Sequence, residues 1–369
     1  MILIDFIKEH ENWRELLANK PYCVAIKEKN DYALFKYTMG ESDMDNELVN
    51  ICRGIIVDLR SMKVVCRPFD KFYNWGEPQA ANLSGKIRAE EKIDGSLMKI
   101  WLDRDGRTWN LSSNGTIDAN DAELSIPVSN IKNYAELFDV AWRRAKVWFD
   151  DLDDYPNWTF MFELVSPYAR IVVPYKETEI YFLGMRNNET GEEISSQDCK
   201  EWAVSHGIKV PNVYPINTLN EAITVAKTLS KDHEGFVLVD ENFNRIKVKG
   251  TEYLQLHTLR GSAVSERNIL TIILKGEQDD LVGNFPEYEE IVKNFSDKLK
   301  SLKNEALREI EEANFNQDRK EFAMQVKTWK FSGLLFKMYQ GASKESLLEQ
   351  TFCVDNLERL YKMIKESEE

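Results

Sequence analysis

The sequence predicts an α+β protein: an antiparallel-sheet domain over residues 1–255, followed by an all-helical domain over residues 256–369. Three observations carry this. Apolar and polar residues alternate in short runs as far as Lys249, most clearly over 96–103, 159–165, 234–240 and 245–249. Beyond Tyr253 the pattern changes to apolar steps of three and four. At 369 residues the chain can build two cores of ordinary size.

In order, residues 1 to about 20 read as one amphipathic helix with Phe6, Trp13 and Leu17 facing inward, ended by Pro21. Tyr32–Tyr37 alternates as a strand, and the acidic segment 41–47 reads as an exposed loop. The run 51–58 is β-rich with Arg53 embedded in it. That arginine either pairs with a carboxylate at a sheet edge or faces a phosphate, which its planar fork suits. The stretch 67–75 crowds aromatic residues around Lys71 and reads either as a loop packed on the core or as a ligand wall. In the second case Tyr73 offers a flat face to a purine and Lys71 a charge to a phosphate.

Lys92 ends an extended segment and precedes Asp94-Gly95, a tight-turn dipeptide. Leu97, Lys99, Trp101 and Asp103 then alternate with Ser96, Met98, Ile100 and Leu102, so the pattern predicts a hairpin that holds Lys92 firmly. Leu111–Thr116 reads as another strand and turn. The span 131–149 carries Ile131, Tyr134, Leu137, Phe138, Ala141, Ala145 and Trp148 at helical spacing. In 159–165, Phe160, Phe162 and Leu164 share one face, leaving Glu163 on the other, where a carboxylate needs a cation or a hydrogen-bond donor. A strand at 180–185 follows, then 234–240 and 245–249, with Arg245, Lys247 and Lys249 on one face of the last. In the helical part, Ser265 caps a helix, a longer one follows Pro286, and further segments fit 318–340 and 344–366.

Composition narrows the chemistry. Five cysteines without a CxxC and four histidines without an HxxxH argue against a zinc site or a disulfide framework, so a metal would take oxygen ligands and a reducing cytoplasm is the default. No apolar run suits a bilayer, the N-terminal stretch does not read as a signal peptide, and a monomer with no membrane partner is expected. The net charge of −14 excludes a protein that coats nucleic acid indiscriminately. From Leu256 onward 17 Lys/Arg stand against 21 Asp/Glu, so the acidity is spread over both parts and any nucleic-acid affinity needs focused patches.

Lys92 is either a solvated lysine beside an Asp-Gly turn or, if it can lose its proton, a nucleophile. At the ordinary lysine pKa only about one molecule in a thousand is neutral near pH 7.4, so the pKa must fall by roughly two to three units. The row Arg245, Lys247 and Lys249 is either a solvated sheet face or, placed opposite Lys92, a polyphosphate site whose charge also lowers that pKa.

Lys92-Ile93-Asp94-Gly95, Phe162-Glu163, Glu234-Gly235 and Lys247-Val248-Lys249, in this order, resemble the covalent nucleotidyltransferases, which include ATP-dependent ligases and messenger-RNA capping enzymes. Cys52–Ile55, Lys71–Asn74, Ala169–Val172, Asn188–Glu192, Tyr253–His257, Asp279–Leu281 and Tyr339–Gly341 extend the likeness to the phage RNA ligase 1 family, the tRNA-repair type, over nearly the whole chain. The resemblance implies a ligase-type domain with a helical tRNA-specificity module. It also implies ATP with magnesium or manganese, and RNA bearing 5′-phosphate and 3′-hydroxyl ends, such as a nicked tRNA, in a host cytoplasm. Lys92 would form lysyl-AMP, pass AMP to the 5′-phosphate, and a 3′-hydroxyl would displace it.

Carried over residue by residue, Arg53 and Lys71 would hold phosphates or the RNA 5′ end, and Tyr73 would line the nucleotide pocket. Glu163 would contact the ribose or the metal, and Glu234, followed by Gly235, would sit at the metal. Lys247 and Lys249 would orient the triphosphate, Tyr253 would support that wall, and Asp94 and Gly95 would shape the turn that aims Lys92. The chain departs from the family at Ser112–Gly115, where a lysine is usual; Asn114 keeps only a hydrogen bond for a phosphate, so either ATP affinity or adenylation rate is lower or Lys99 or Arg107 compensates. A DNA ligase or capping enzyme is disfavoured because helices stand where those carry an OB-fold. A non-catalytic RNA-end-binding protein is disfavoured because it needs no nucleophile between cations.

Overall fold

A computed structural model describes residues 1–128, 131–145, 152–262, 265–276 and 278–366. The chain divides into a unit over Met1–Leu254 and a unit over Gln255–Glu369. The first begins with α1 (Ile2–Glu9) and α2 (Trp13–Ala18), two helices where the sequence suggested one. Leu3, Ile4, Ile7, Trp13 and Leu17 are their buried residues, so burial chooses Leu3 and Ile4 over Phe6. They pack on β1 (Val24–Lys29) and β2 (Tyr32–Tyr37), and α3 (Glu47–Ile51), capped by Asn46, leads into β3 (Arg53–Asp58) and β4 (Lys63–Cys66). These four strands form one antiparallel sheet in chain order.

Next come β5 (Tyr73–Asn74), β6 (Arg88–Glu91), β7 (Ser96–Leu102) and β8 (Trp109–Ser113). After β9 (Glu123–Val128) and β10 (Ile131–Asn133), α4 spans Tyr134–Trp142. Leu137, Phe138, Ala141 and Ala145 are buried as the helical spacing required, and Ile131 belongs to a strand instead; Trp148 and Phe149 lie outside the described residues. Then follow β11 (Trp158–Val165), β12 (Glu179–Asn187), β13 (Glu193–Ser195), α5 (Lys200–Ser205), β14 (Val213–Tyr214), α6 (Leu219–Ala226), β15 (Gly235–Val239) and β16 (Arg245–Lys249).

Two five-stranded sheets result, one in the order β13-β12-β11-β7-β8 and one in the order β14-β6-β15-β16-β5. The first buries Phe160, Phe162 and Leu164 against α4, with the Phe162 ring edge-on to Phe138 and Trp142. The second buries Phe236, Leu238, Ile246 and Val248 with Ala222 and Ala226 of α6. In both, strict alternation places the charged members of the same strands on the opposite face.

The helix α7 (Thr251–Ser262) carries the unit boundary, and every described element beyond it is helical. α8 (Glu266–Lys275) is capped by Ser265 and closed by Gly276 in the left-handed conformation. After α9 (Gln278–Asn284), α10 (Glu289–Glu312) buries Phe295, Leu302, Ala306 and Ile310. The remaining segments break into α11 (Arg319–Val326) with α12 (Ser332–Tyr339), and α13 (Lys344–Thr351) with α14 (Leu357–Glu366). No helix among the described residues is long and apolar enough to cross a membrane.

Phe162 is fully buried with aromatic rings on three sides. Phe162→Ala is therefore expected to lower stability by about 3–5 kcal/mol, read from denaturant unfolding.

Candidate active site

Lys92 does not sit in a hairpin. β6, which precedes it, pairs with β14 and β15, whereas β7, which follows, pairs with β8 and β11. Residues 92–95 are thus the crossing from one sheet to the other. The Lys92 amide stays on the first, donating to the Gly235 carbonyl at 2.9 Å. Asp94, 3% exposed, is an anchor rather than a turn residue. Its Oδ2 accepts from the amides of Val172 (2.8 Å) and Val173 (2.7 Å), and its Oδ1 from the Tyr253 hydroxyl (2.7 Å). Tyr175 accepts the Asp94 amide at 3.2 Å, a partner the sequence did not single out. Gly95 is required by close approach: a Cβ there would lie 2.4 Å from the Leu164 carbonyl oxygen.

This crossing delivers the Lys92 ammonium to Glu234. Nζ donates to Oε2 at 2.7 Å, while Lys249 Nζ lies 3.0 Å from Oε1. Glu234 is 4% exposed and takes both cations. The arrangement overturns the sign expected at Lys92. Burial alone would lower the Lys92 pKa, but the Glu234 and Glu163 carboxylates outweigh it and leave the pKa raised. Burial lifts Glu234 as well, and the two lysines outweigh it, holding that carboxyl below its ordinary range. The cation made easy to deprotonate is instead Lys247, brought to about 7 by burial and by Arg53, Lys92, Lys71 and Lys249. Glu163 is pushed up to about 7 by burial, with Glu234 and Asp94 adding to the rise against Lys92 and Arg53.

A cavity of about 450 Å³ opens here, lined by Arg53, Lys92, Gly95, Glu163 and Lys247 among the sequence candidates. This volume suits a small-molecule ligand. Its wall on the second sheet follows from register. Arg88 and Glu90 of β6 stand across Val239 and Val237 of β15 from Arg245 and Lys247 of β16, so charged rows flank an apolar strip. Arg88 and Glu90, paired at 2.6 Å, are lining residues that sequence reasoning passed over, although they share the face of Lys92 at steps of two.

Glu234, Gly235, Lys249, Asp94 and Tyr253 are outside the lining and support it. Gly235, at φ +139°, has no room for a Cβ, which would meet the Val248 carbonyl at 2.1 Å. Tyr253 is buried, and the Lys249 ammonium lies 5.3 Å from its ring centroid. Tyr73 is also outside the lining. Its ring is buried, its hydroxyl donates to Asn50 and the Met44 carbonyl, and Lys71 Nζ lies 4.7 Å from its centroid. Arg53 donates to the Phe69 carbonyl at 3.3 Å, and burial lowers its pKa.

Of the two compensating cations, Arg107 is exposed and outside the lining. Lys99 is fully buried, donates to the Gly54 carbonyl, and is brought to about 8 mainly by burial. No cluster of three metal-ligating side chains occurs among the described residues; Glu90, Glu91 and Glu163 are the carboxylates of the lining, and Glu234 lies beside Lys92.

A family profile described as RNA ligase matches residues 51–253, more than half of the chain and the whole of this site. The chain belongs to the RNA ligase family. It is 28% identical over 387 aligned positions to an RNA ligase of Rhodothermus phage RM378, covering 84% of this chain and 86% of that one. RNA ligase 1 of bacteriophage TS2126 is 28% identical over 151 residues, 38% of this chain and 35% of that one. A protein of Autographa californica nuclear polyhedrosis virus, described as a bifunctional polynucleotide kinase/RNA ligase, is 29% identical over 341 residues and covers 85% of this chain; the match spans 48% of that relative's length. These matches place the RNA ligase within the phage RNA ligase 1 family. Among solved structures, an archaeal ATP-dependent RNA ligase aligns with a TM-score of 0.48 at 12% identity, over 72% of this chain and 68% of that one, too slight a likeness to speak for substrate.

The shifted groups predict opposite pH signatures in this ligase. Unfolded, Lys247 holds its proton to about pH 10.4; folded, it releases it near 7, so its penalty on stability is full below 7 and fades as pH rises. Lys247→Met should raise Tm at pH 6 and do so less at pH 9. Glu163 ionises near 4.3 unfolded and near 7 folded, so its penalty grows from pH 4.5 to 7 and stays above it. Glu163→Gln should raise Tm at pH 8 and leave it nearly unchanged at pH 4, each measured against wild type in the same buffer.

Proposed function

We propose that this protein is an ATP-dependent RNA ligase that joins 5′-phosphate and 3′-hydroxyl RNA ends through lysyl-AMP and RNA-adenylate. The observation that carries the reading is the Lys92 amine at a 450 Å³ cavity, with Arg53 and Lys247 in the same lining and Lys249 one turn of the strand pattern away. Arg245, Lys247 and Lys249 form a row of positive charge suited to a triphosphate, and Lys247 regains its proton as phosphate approaches.

In the first step the Lys92 ammonium gives up one proton, Nζ bonds to the α-phosphorus as the bond to pyrophosphate breaks, and a second proton leaves the nitrogen to a carboxylate or to solvent. Glu163, near pKa 7, is suited to receive it. In the second step an oxygen of the RNA 5′-phosphate bonds to that phosphorus, the P–N bond breaks, and Lys92 is reprotonated beside Glu234. In the third, the 3′-hydroxyl oxygen bonds to the 5′-phosphorus as the bond to AMP breaks, and the hydroxyl proton leaves to solvent or to the departing AMP phosphate. The resting pair explains how the nucleophile is kept idle: while Glu234 holds Lys92, the amine stays charged. Once Glu234 is drawn elsewhere, burial is opposed only by Glu163 and Asp94, and the Lys92 pKa falls.

A divalent ion fits this site beside Glu163 and Glu234, because burial raises Glu163 to about 7 despite Lys92 and Arg53 and so leaves its charge undercompensated. Those two residues would hold it, and the ion would neutralise developing charge on phosphate oxygens. We further infer that the helical unit selects the RNA, a nicked tRNA loop being the family's analogy. Its excess of acidic residues means that the selecting contacts are few and local.

Incubation with magnesium and ATP labelled at the α-phosphate should leave label on denatured wild-type protein and none on Lys92→Ala. Adding 5′-phosphorylated RNA should convert that label to free AMP with circular or joined products. An unlabelled wild type sinks the reading. Truncation after residue 262, which retains α7, should cost RNA joining more than self-adenylation; equal loss of both in folded protein would refute a selecting role.

A further inference from the structure

The surface beside the cavity carries a second feature that nucleotide chemistry leaves unused. The Phe72 ring lies 5.2 Å from the Arg53 guanidinium and 4.7 Å from Lys247 Nζ. One residue back along the chain, the Lys71 ammonium sits between two tyrosine rings, 4.8 Å from the centroid of Tyr37 and 4.7 Å from that of Tyr73. No carboxylate lies within ion-pair range of it among the described residues. Its nearest polar neighbour is Met39 Sδ at 4.0 Å, and Met39 is 71% exposed. Two residues beyond Tyr73, Trp75 is 52% exposed. Its amide donates to the Lys247 carbonyl at 2.8 Å, so Trp75 extends the edge strand β5 beside β16.

Large exposed apolar side chains are informative when they gather around an unpaired cation rather than scatter. The carboxylates bordering this strip are engaged. Glu77 accepts the Asn74 amide at 2.7 Å and its Nδ2 at 3.0 Å, and Asp45 accepts Gln79 Nε2 at 2.8 Å. What remains open is an alternation of rings, a thioether and cations leading away from the cavity. Single-stranded nucleic acid presents the complement of that alternation, flat bases for the rings and phosphates for the cations.

We propose that Met39, Lys71 and Trp75 form a docking platform for the single-stranded RNA end, with bases stacked on Trp75 and Met39 and a backbone phosphate on Lys71. This deepens the ligase reading and rests on it for the identity of the partner. The platform adjoins Arg53 and Lys247, so a strand lying on it ends at the cavity mouth, where its terminus meets the adenylate. Exposure of Trp75 and Met39 in the free protein is then the unoccupied state of a stacking surface.

The test compares Met39→Ala, Trp75→Ala, the double variant and Trp75→Phe. Self-adenylation without RNA serves as the internal control, and joining of a 5′-phosphorylated ten-nucleotide oligoadenylate as the readout. The double variant should raise the KM for the oligonucleotide about ten-fold or more, with self-adenylation within about two-fold of wild type and most of the loss recovered in Trp75→Phe. The oligonucleotide should quench tryptophan fluorescence in wild type, and the quench should shrink in Trp75→Phe. An oligonucleotide KM unchanged in the double variant, or a quench equal in wild type and Trp75→Phe, overturns the platform. So does a parallel fall in self-adenylation, which marks a structural role. If wild type fails to label with ATP, the ligase reading falls by itself, and the quench alone decides for or against RNA on this surface.

Discussion

The site depends on one buried carboxylate shared by two ammonium groups. Glu234 is almost wholly removed from water and would be untenable unpaired; Lys92 and Lys249 approach its two oxygens at 2.7 and 3.0 Å. The pairing is possible because Gly235 lets β15 lie against β16 more closely than any side chain would allow. The glycine after the glutamate is thus a packing requirement of the ion triad. Its chemical consequence is that Lys92 rests as an ammonium, and the nucleophilic role proposed for it is conditional on what Glu234 does. A lysine surrounded only by cations would be reactive at all times, toward water-borne electrophiles as well as ATP.

Around this triad the two five-stranded sheets contribute unequal faces. The strand β15 runs apolar Val237 and Val239 between the charged rows of β6 and β16, so one wall is a greasy strip with polar rails. The other sheet contributes Glu163 beside Leu97, its partner across the strands. With a chain charge of −14, a polyanion needs a local concentration of positive charge, and Arg53, Arg245 and Lys247 line the cavity with Lys249 two residues further along β16. Specific recognition follows from that contrast, because an acidic exterior suppresses indiscriminate binding to nucleic acid.

Much of this was legible because a period of two survives folding. Arg245, Lys247 and Lys249 share a face, and Phe160, Phe162 and Leu164 share the opposite kind of face, as alternation alone requires. The hairpin at Lys92 was misread for a physical reason. Asp-Gly has the same local signature whether the aspartate bonds its own turn or, as here, amides at Val172 and Val173 far along the chain. The short helices α3, α5 and α6 have too few turns for a 3.6-residue period to emerge from loop composition. The sign of the Lys92 shift was illegible too, since sequence order shows which cations are present but not that a carboxylate stands between them. Tyr73 was read as a pocket wall, and the fold spends its ring on holding Lys71 instead.

The turn at Ser113–Gly115, where the family resemblance implies a lysine, has lysines from other strands around it. Ser113, Asn114 and Gly115 line the cavity without a cation of their own. Lys27 of β1 donates to the Gly115 carbonyl at 2.7 Å, and the Lys36 ammonium of β2 lies 3.6 Å from where a Gly115 Cβ would stand. Behind them, Lys99 Nζ and Asn114 Oδ1 crowd Gly54, whose absent Cβ would meet them at 2.9 and 2.7 Å. Three lysines from three strands therefore surround a neutral turn, two of them from the four-stranded sheet. Asn114 Oδ1 is buried without a hydrogen-bond partner, a costly state unless the site is completed by something that brings a donor. Positive charge reaches this end of the cavity by convergence of neighbours, and that makes the four-stranded sheet part of the site's electrostatics as well as of its framework.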